Sequence, residues 1–140
     1  MTSATLTIGD DTITGLDPVN GANTAEPMLN SLTAPDGYTI RIVTSDGEAV
    51  TGLVGTGQMV QVLSGEAVVK TYTVILFGDA NGDGRLNSSD LYEIFQQILS
   101  RINMTSIFKT AADADKNGKI DSSDLYAVFK HILQREMIIQ

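Results

Sequence analysis

The segment GDANGDGRLNSSD, Gly78 to Asp90, places five carboxylate or carboxamide side chains, three glycines and two serines in thirteen residues. Its aspartates, Asp79, Asp83 and Asp90, repel one another unless something positive sits among them. Asp79, Asn81 and Asp83 stand at alternate positions, so their oxygens can converge on one centre. Gly84 allows a sharp turn, Arg85 can offer its backbone carbonyl, Asn87 follows two later, and Asp90 closes the run at the twelfth position. Oxygen ligands without His or Cys select a hard cation. For a single such loop, a solvated acidic turn is the competing reading.

A second loop weakens that competitor. DADKNGKIDSSD puts Asp113, Asp115, Asn117, Gly118, Lys119, Asp121 and Asp124 in the same loop positions. The match runs on past the loops: SSDLYEIFQQIL (Ser88 to Leu99) aligns with SSDLYAVFKHIL (Ser122 to Leu133) at an offset of 34 residues, with eight identities. An internal repeat of this kind governs the rest of the reading. The 1-3-5-7-9-12 spacing is that of an EF-hand-type loop, so two calcium ions are expected.

The elements that position these loops fall into two halves. Residues 1–77 carry short Val-, Ile-, Thr- and Tyr-rich runs, Thr5–Ile8, Tyr38–Thr44, Met59–Leu63 and Thr71–Phe77, separated by turn signals such as Gly55-Thr56-Gly57. One short helix is expected over Asn23–Leu32, capped by Asn23 or Thr24, with Pro27 in its first turn. Residues 78–140 read as helical after each loop, with a further helix over Thr105–Ala112 and N-cap chemistry at Ser88 and Ser122. Phe77 leads from a strand straight into the first loop, leaving no room for the incoming helix of an ordinary EF-hand. The fold class is therefore α+β in two modules: a small β-sandwich-like domain over 1–77, then an all-α pair of loop–helix repeats over 78–140, with repeats at 78–102 and 112–135.

Composition narrows the partners. The net charge of -8 disfavours nucleic acid, and no apolar run approaches a membrane span. Residues 78–140 hold nine acids and seven bases, a formal -2, so two calcium ions would make that half +2. No disulfide supports the fold, because cysteine is absent. Met1-Thr-Ser lacks the start of a signal peptide, and the chain reads as a fragment of something larger. His131, the one histidine, has no Cys or second His to form a metal site and is expected on a helix surface. No nucleophile triad or phosphate-cradling loop is legible, so no catalysis is expected of this segment.

Each repeat helix carries two apolar stripes. Leu91, Ile94, Ile98 and Ile102 on the first, and Leu125, Val128 and Ile132 on the second, suit an inward face. Tyr92, Phe95 and Leu99 form a second stripe, repeated as Tyr126, Phe129 and Leu133. A unit of about sixty residues has little core in which to bury both. The second stripes either pack against each other or the β half, or face a protein partner.

The duplicated D-x-N-x-D-G-x-L-N-S-S-D-L pattern, lacking an incoming helix, resembles the dockerin family over residues 78–140. The VGTGQMV stretch and the TYTVILFGD junction make residues 1–77 similar, more loosely, to the X module that precedes some dockerins. The resemblance implies a calcium-dependent docking module, secreted or attached at a cell surface, that plugs its parent into a cohesin of a scaffoldin or cell-surface anchoring protein in a polysaccharide-degrading, cellulosome-type assembly. It implies calcium ligation by Asp79, Asn81, Asp83, Arg85 (carbonyl), Asn87 (through water) and Asp90, and by Asp113, Asp115, Asn117, Lys119 (carbonyl), Asp121 (through water) and Asp124. It implies cohesin contact at Ser88, Ser89, Ser122 and Ser123 and further along each helix, at Phe95 and Gln96 and at Phe129 and Lys130. With the second stripes, Tyr92, Leu99, Tyr126 and Leu133 join that face. Many dockerins carry basic residues where Phe95 and Phe129 stand, so a more hydrophobic interface is expected. The near-identical repeats suggest two binding modes related by a half-turn. The free chain is expected to be a monomer.

Two other readings stay open here: an EF-hand calcium module with a different partner, and a carbohydrate-binding fragment of a glycoside hydrolase. Asp at position twelve, where sensor hands prefer Glu, argues against the first. The absence of Trp, with Tyr38, Tyr72 and Phe77 all inside strand-like runs, argues against the second. Affinity electrophoresis on soluble polysaccharides is therefore expected to show no retardation; slowed migration on any of them would establish sugar binding.

Overall fold

The structure, a computed structural model, describes residues 1–3, 5–18 and 23–140. The described elements run β1 (Thr2–Ser3), β2 (Thr7–Ile8), β3 (Thr12–Thr14), α1 (Ala25–Ser31), β4 (Leu32–Thr33), β5 (Thr39–Val43), β6 (Met59–Ser64), β7 (Ala67–Val74), α2 (Ser88–Ile98), α3 (Ser106–Ala112) and α4 (Ser122–Ile132). An N-terminal β region thus precedes a helical C-terminal region. Five strands form one sheet in the order β2-β3-β7-β6-β5, and β1 pairs with β4 separately. The sheet is antiparallel except where β3 runs parallel to β7, with Ile13 opposite Val74. Alternation works as expected of a half-buried sheet. Val60 and Val62 of β6, and Tyr72 and Val74 of β7, turn into a core with Ile13, Leu16, Met28, Ile42, Val54 and Leu76.

Three strands escape the sequence pattern. β1, β3 and β4 have two or three residues each, too few to show a period. The segment expected over Thr5–Ile8 is paired only at Thr7–Ile8. The last strand lies earlier than Thr71–Phe77, at Ala67–Val74. Beyond Val74 the ladder makes one more bond, from Ile75 N–H to the Ile13 carbonyl of β3, and then leaves the sheet, with Leu76 N–H donating to the Thr56 hydroxyl. Phe77 consequently follows a short connecting segment and not a strand end. α1 starts after Thr24, whose side chain makes no capping bond. Asn23 is not a cap either. It is buried, and its Nδ2 donates to the carbonyls of Val54 at 2.9 Å and Gly84 at 2.8 Å.

In the helical region, α2 and α4 begin one residue after the loop side chain that caps them. The caps are Asn87 and Asp121, not the serines, and each closes a full capping box with Asp90 or Asp124. Ile94 and Val128, both 0% exposed, centre a second core with Ala80, Met104, Ala112 and Ala114. Leu91, Ile98, Ile102, Leu125 and Ile132 pack against it as the inward stripes require. His131 departs from expectation. It is buried, and its Nδ1 accepts the Ile138 N–H at 3.0 Å, so the chain folds back over α4. Burial holds its imidazole below the usual range. The return ends at Gln140, whose side chain accepts from Phe77 N–H at 2.7 Å and donates to the Phe77 carbonyl at 2.8 Å.

Ile94→Ala is expected to cost about 2–5 kcal/mol in calcium-saturated denaturant unfolding, as large-to-small changes at fully buried sites do. Tyr92→Ala, on the exposed side of the same helix, should stay within about 0.5 kcal/mol. Equal losses would contradict this assignment of the two faces.

Candidate calcium loops and docking face

Each loop is shaped by side chains that accept backbone amides two to five residues on. In the first, Asp79 Oδ1 accepts from Gly82 at 3.1 Å and Oδ2 from Gly84 at 3.0 Å. Asn81 Oδ1 accepts from Asp83, and Asp83 Oδ1 from Arg85. Asp90 reaches back: Oδ1 takes the amides of Ala80 and Asn81, and Oδ2 that of Asn87. The second loop repeats the scheme. Asp113 accepts from Asn117 and Gly118, Asn117 from Lys119, and Asp124 from Asp115 and Asp121. Such turns draw the acidic groups inward despite their repulsion.

The result is two clusters. Asp79, Asp83 and Asp90 bring carboxylate oxygens within 4.8 Å of one another, as do Asp113, Asp115 and Asp124. The third carboxylate comes from loop position five in one copy and position three in the other, where Asn81 and Asn117 make up the balance. Asn87 and Asp121 are half-buried beside them, their side chains occupied with the Ser89 and Ser123 amides. Arg85 and Lys119 are exposed. An all-oxygen donor set with three carboxylates and a carboxamide suits a hard divalent ion.

Electrostatics point the same way. Burial pushes the Asp79 carboxyl up to about 6, against the opposing pull of the Thr56, Gly84 and Gly82 amides. Burial raises Asp90 and Asp124 to about 7 each. Asp115 moves the other way, lowered by its bond from the Ser123 hydroxyl. Three buried carboxyls whose charged form is disfavoured by burial are groups a cation would stabilise.

The second stripes do not pack away. Tyr92 and Tyr126 are each 61% exposed, and Phe95, Leu99, Phe129 and Leu133 lie between 44% and 48%. Ser88, Ser89, Ser122 and Ser123 are exposed at the helix starts, while Gln96 and Lys130 are half-buried. Leu91, Tyr92, Phe95, Ser122, Leu125, Tyr126 and Phe129 line one shallow apolar groove between α2 and α4. Lys130 Nζ sits 4.6 Å from the Tyr126 ring centroid and pairs with Glu136 at 2.9 Å. Its counterpart on α2 is the uncharged Gln96, so the two halves of this face differ in charge.

Residues 77–133 match the family model described as Dockerin type I domain. That segment is a dockerin module. A search of curated proteins returned no match. Dockerins are non-catalytic modules that bind cohesins in a calcium-dependent manner, and the two acidic clusters of this dockerin are compatible with calcium. The family is typically extracellular or cell-surface-associated. Among the described residues, no helix is long and apolar enough to cross a membrane.

Sequence reasoning missed what lies behind the first loop. Thr56 N–H, from the β region, donates to Asp79 Oδ2 at 2.9 Å. A Cβ on Gly55 would stand 2.4 Å from the Gly84 nitrogen and 2.5 Å from Asp79 Oδ2. Two glycines flanking Thr56 signal either a turn or a close backbone approach, and only the turn was legible.

The raised carboxyls fix a pH dependence. Each holds its proton more tightly in the folded calcium-free chain than in the unfolded one, where the value is near 3.8. Their contribution to stability is complete below about pH 4 and is lost as pH rises through 6 to 7. In chelator, the melting temperature of the helical region should therefore fall between pH 5 and 7.5, and excess calcium should abolish that fall. A calcium-free transition independent of pH over this range would contradict the burial of these groups.

Proposed function

We propose that this chain is an X-module–dockerin pair, with the X module over 1–77 and the dockerin over 78–140. In this reading the dockerin binds two calcium ions and docks its parent protein into a cohesin of a scaffoldin or cell-surface anchor. The parent then takes part in an extracellular polysaccharide-degrading assembly, and the free chain is a monomer. The carrying observation is the duplicated, exposed Tyr-Phe-Leu face, fixed beside two loop–helix junctions of identical design.

The calcium ligands are the twelve loop residues, Asp79 to Asp90 and Asp113 to Asp124 at loop positions 1, 3, 5, 7, 9 and 12. Arg85 and Lys119 supply carbonyl oxygens. The cohesin contacts are the four serines, the six stripe residues, Gln96 and Lys130. An apolar groove with a serine rim suits a partner whose own contact surface is flat and apolar at its centre. The two copies present near-equivalent surfaces, so a cohesin can engage in two orientations related by a half-turn. Lys130 against Gln96 biases the choice.

A cohesin panel tests this, run in calcium and again in chelator. Capture of the chain by at least one cohesin in calcium alone is expected. Phe95→Ala and Phe129→Ala should each weaken that capture mildly, and the double variant by roughly thirtyfold or more, the scale of a lost hot spot. A large loss from one single variant would reduce the proposal to one mode. Calcium-independent capture, or none, would refute it.

A further inference from the structure

The two loops share a sequence design but not an environment. Behind the first loop stands the β region, which approaches it through Asn23 and Leu53 to Thr56. Thr56 N–H donates to Asp79 Oδ2, and the Asn23 amide bridges the carbonyls of Val54 and Gly84. A Cβ on Gly84 would meet Leu53 Cβ at 2.9 Å, and one on Gly82 would meet the Thr56 carbonyl at 2.7 Å. Asp79 and Gly84 are buried as a result. Among the described residues the second loop has no such wall: a Cβ on Gly118 meets nothing within 4 Å, and Asp115 to Lys119 are all exposed. Asp113, the counterpart of Asp79, accepts from amides of its own loop.

We infer that Asn23, Gly55 and Thr56 of the β region are positioning residues for the first calcium loop, making it the slow-exchanging site of an unequal pair. The inference rests on the calcium reading above. Two effects act together. A loop already held in its bound shape loses less conformational freedom when the ion enters. A carboxylate shielded from water also attracts a cation more strongly than one in solvent. Thr56 occupies Asp79 Oδ2 from outside the loop, fixing the carboxylate orientation before any ion arrives, as outer hydrogen-bond partners of metal ligands do. The second loop holds its ligands through bonds of its own loop and helix start alone.

The test is stopped-flow release of calcium from the full chain into a fluorescent chelator. Two phases are expected. Asp83→Ala should remove the slow one and Asp115→Ala the fast one, which assigns them. Asn23→Ala should then accelerate the slow phase roughly tenfold, equivalent to about 1.4 kcal/mol, and leave the fast phase unchanged. Gly55→Ala should do the same more severely; if it does not fold, Asn23→Ala alone decides. A general loss of stability would move both phases, so selectivity for the slow one is the diagnostic. Equal release rates from the two loops, or a slow phase untouched by Asn23→Ala, would overturn the inference while leaving the calcium reading intact. No calcium release from either loop would overturn both.

Discussion

Asp90 and Asp124 each serve two structures at once, and the helical region depends on that double use. One oxygen of Asp90 accepts the Asn87 amide and so completes the capping box that starts α2; the other accepts the Ala80 and Asn81 amides and closes the loop. Asp124 does the same for α4. The helix start and the proposed cation site thus share a carboxylate. These groups are 0% exposed, and burial disfavours their charge. A cation among them reverses the balance, and what it stabilises includes the first turn of the helix. Loss of the ion would loosen the helix start, and with it the alignment of α2 and α4 across Ile94 and Val128. The exposed Tyr-Phe-Leu face is carried by these two helices, so in the proposed reading it depends on that alignment.

The β region adds a second level of constraint. No flexible linker separates it from the first loop, because the Phe77-Gly78 junction is tied down on both sides. Gly78 N–H donates to the Ala111 carbonyl, and the Gln140 side chain brackets Phe77. Lys116 of the second loop reaches the same place, with its Nζ 4.4 Å from the Phe77 ring centroid and donating to the Ile139 carbonyl. Both ends of the dockerin therefore converge beside the β region. Of the two loops, the first is pressed into it and the second is left facing water. An internal repeat that is nearly symmetric in sequence becomes asymmetric in its surroundings.

Much of this was legible in the residues. Ligand spacing is a local property, so Asp79 to Asp90 and Asp113 to Asp124 were readable as loops, and the structure brings six of their carboxylates into two clusters. The period-3.6 pattern separated Ile94 and Val128 from Tyr92 and Tyr126 correctly, because a helix of eleven residues is long enough to show its face. The β region was read less well. Strands of two or three residues carry no period, and β3 owes its place to a parallel pairing with β7 sixty residues later. Asn23 looked like a cap because Asn is a good one; tertiary carbonyls at Val54 and Gly84 claimed it instead. The contact of Gly55 and Thr56 with Asp79 involves backbone and the absence of side chains, which no pattern of side-chain types reveals. His131 was misjudged for a related reason: the chain after α4 folds back over it, and nothing in the helix announces that return.

In the reading proposed above, cation binding in the loops holds the helical region in its docking shape. Residue-resolved amide hydrogen exchange at pH 7.5, in calcium and in chelator, tests it most directly. Amides of α2 and α4 are expected to be protected in calcium and to exchange rapidly in chelator, while the β5–β6–β7 ladder keeps its protection in both. Equal protection of α2 and α4 with and without calcium would contradict it.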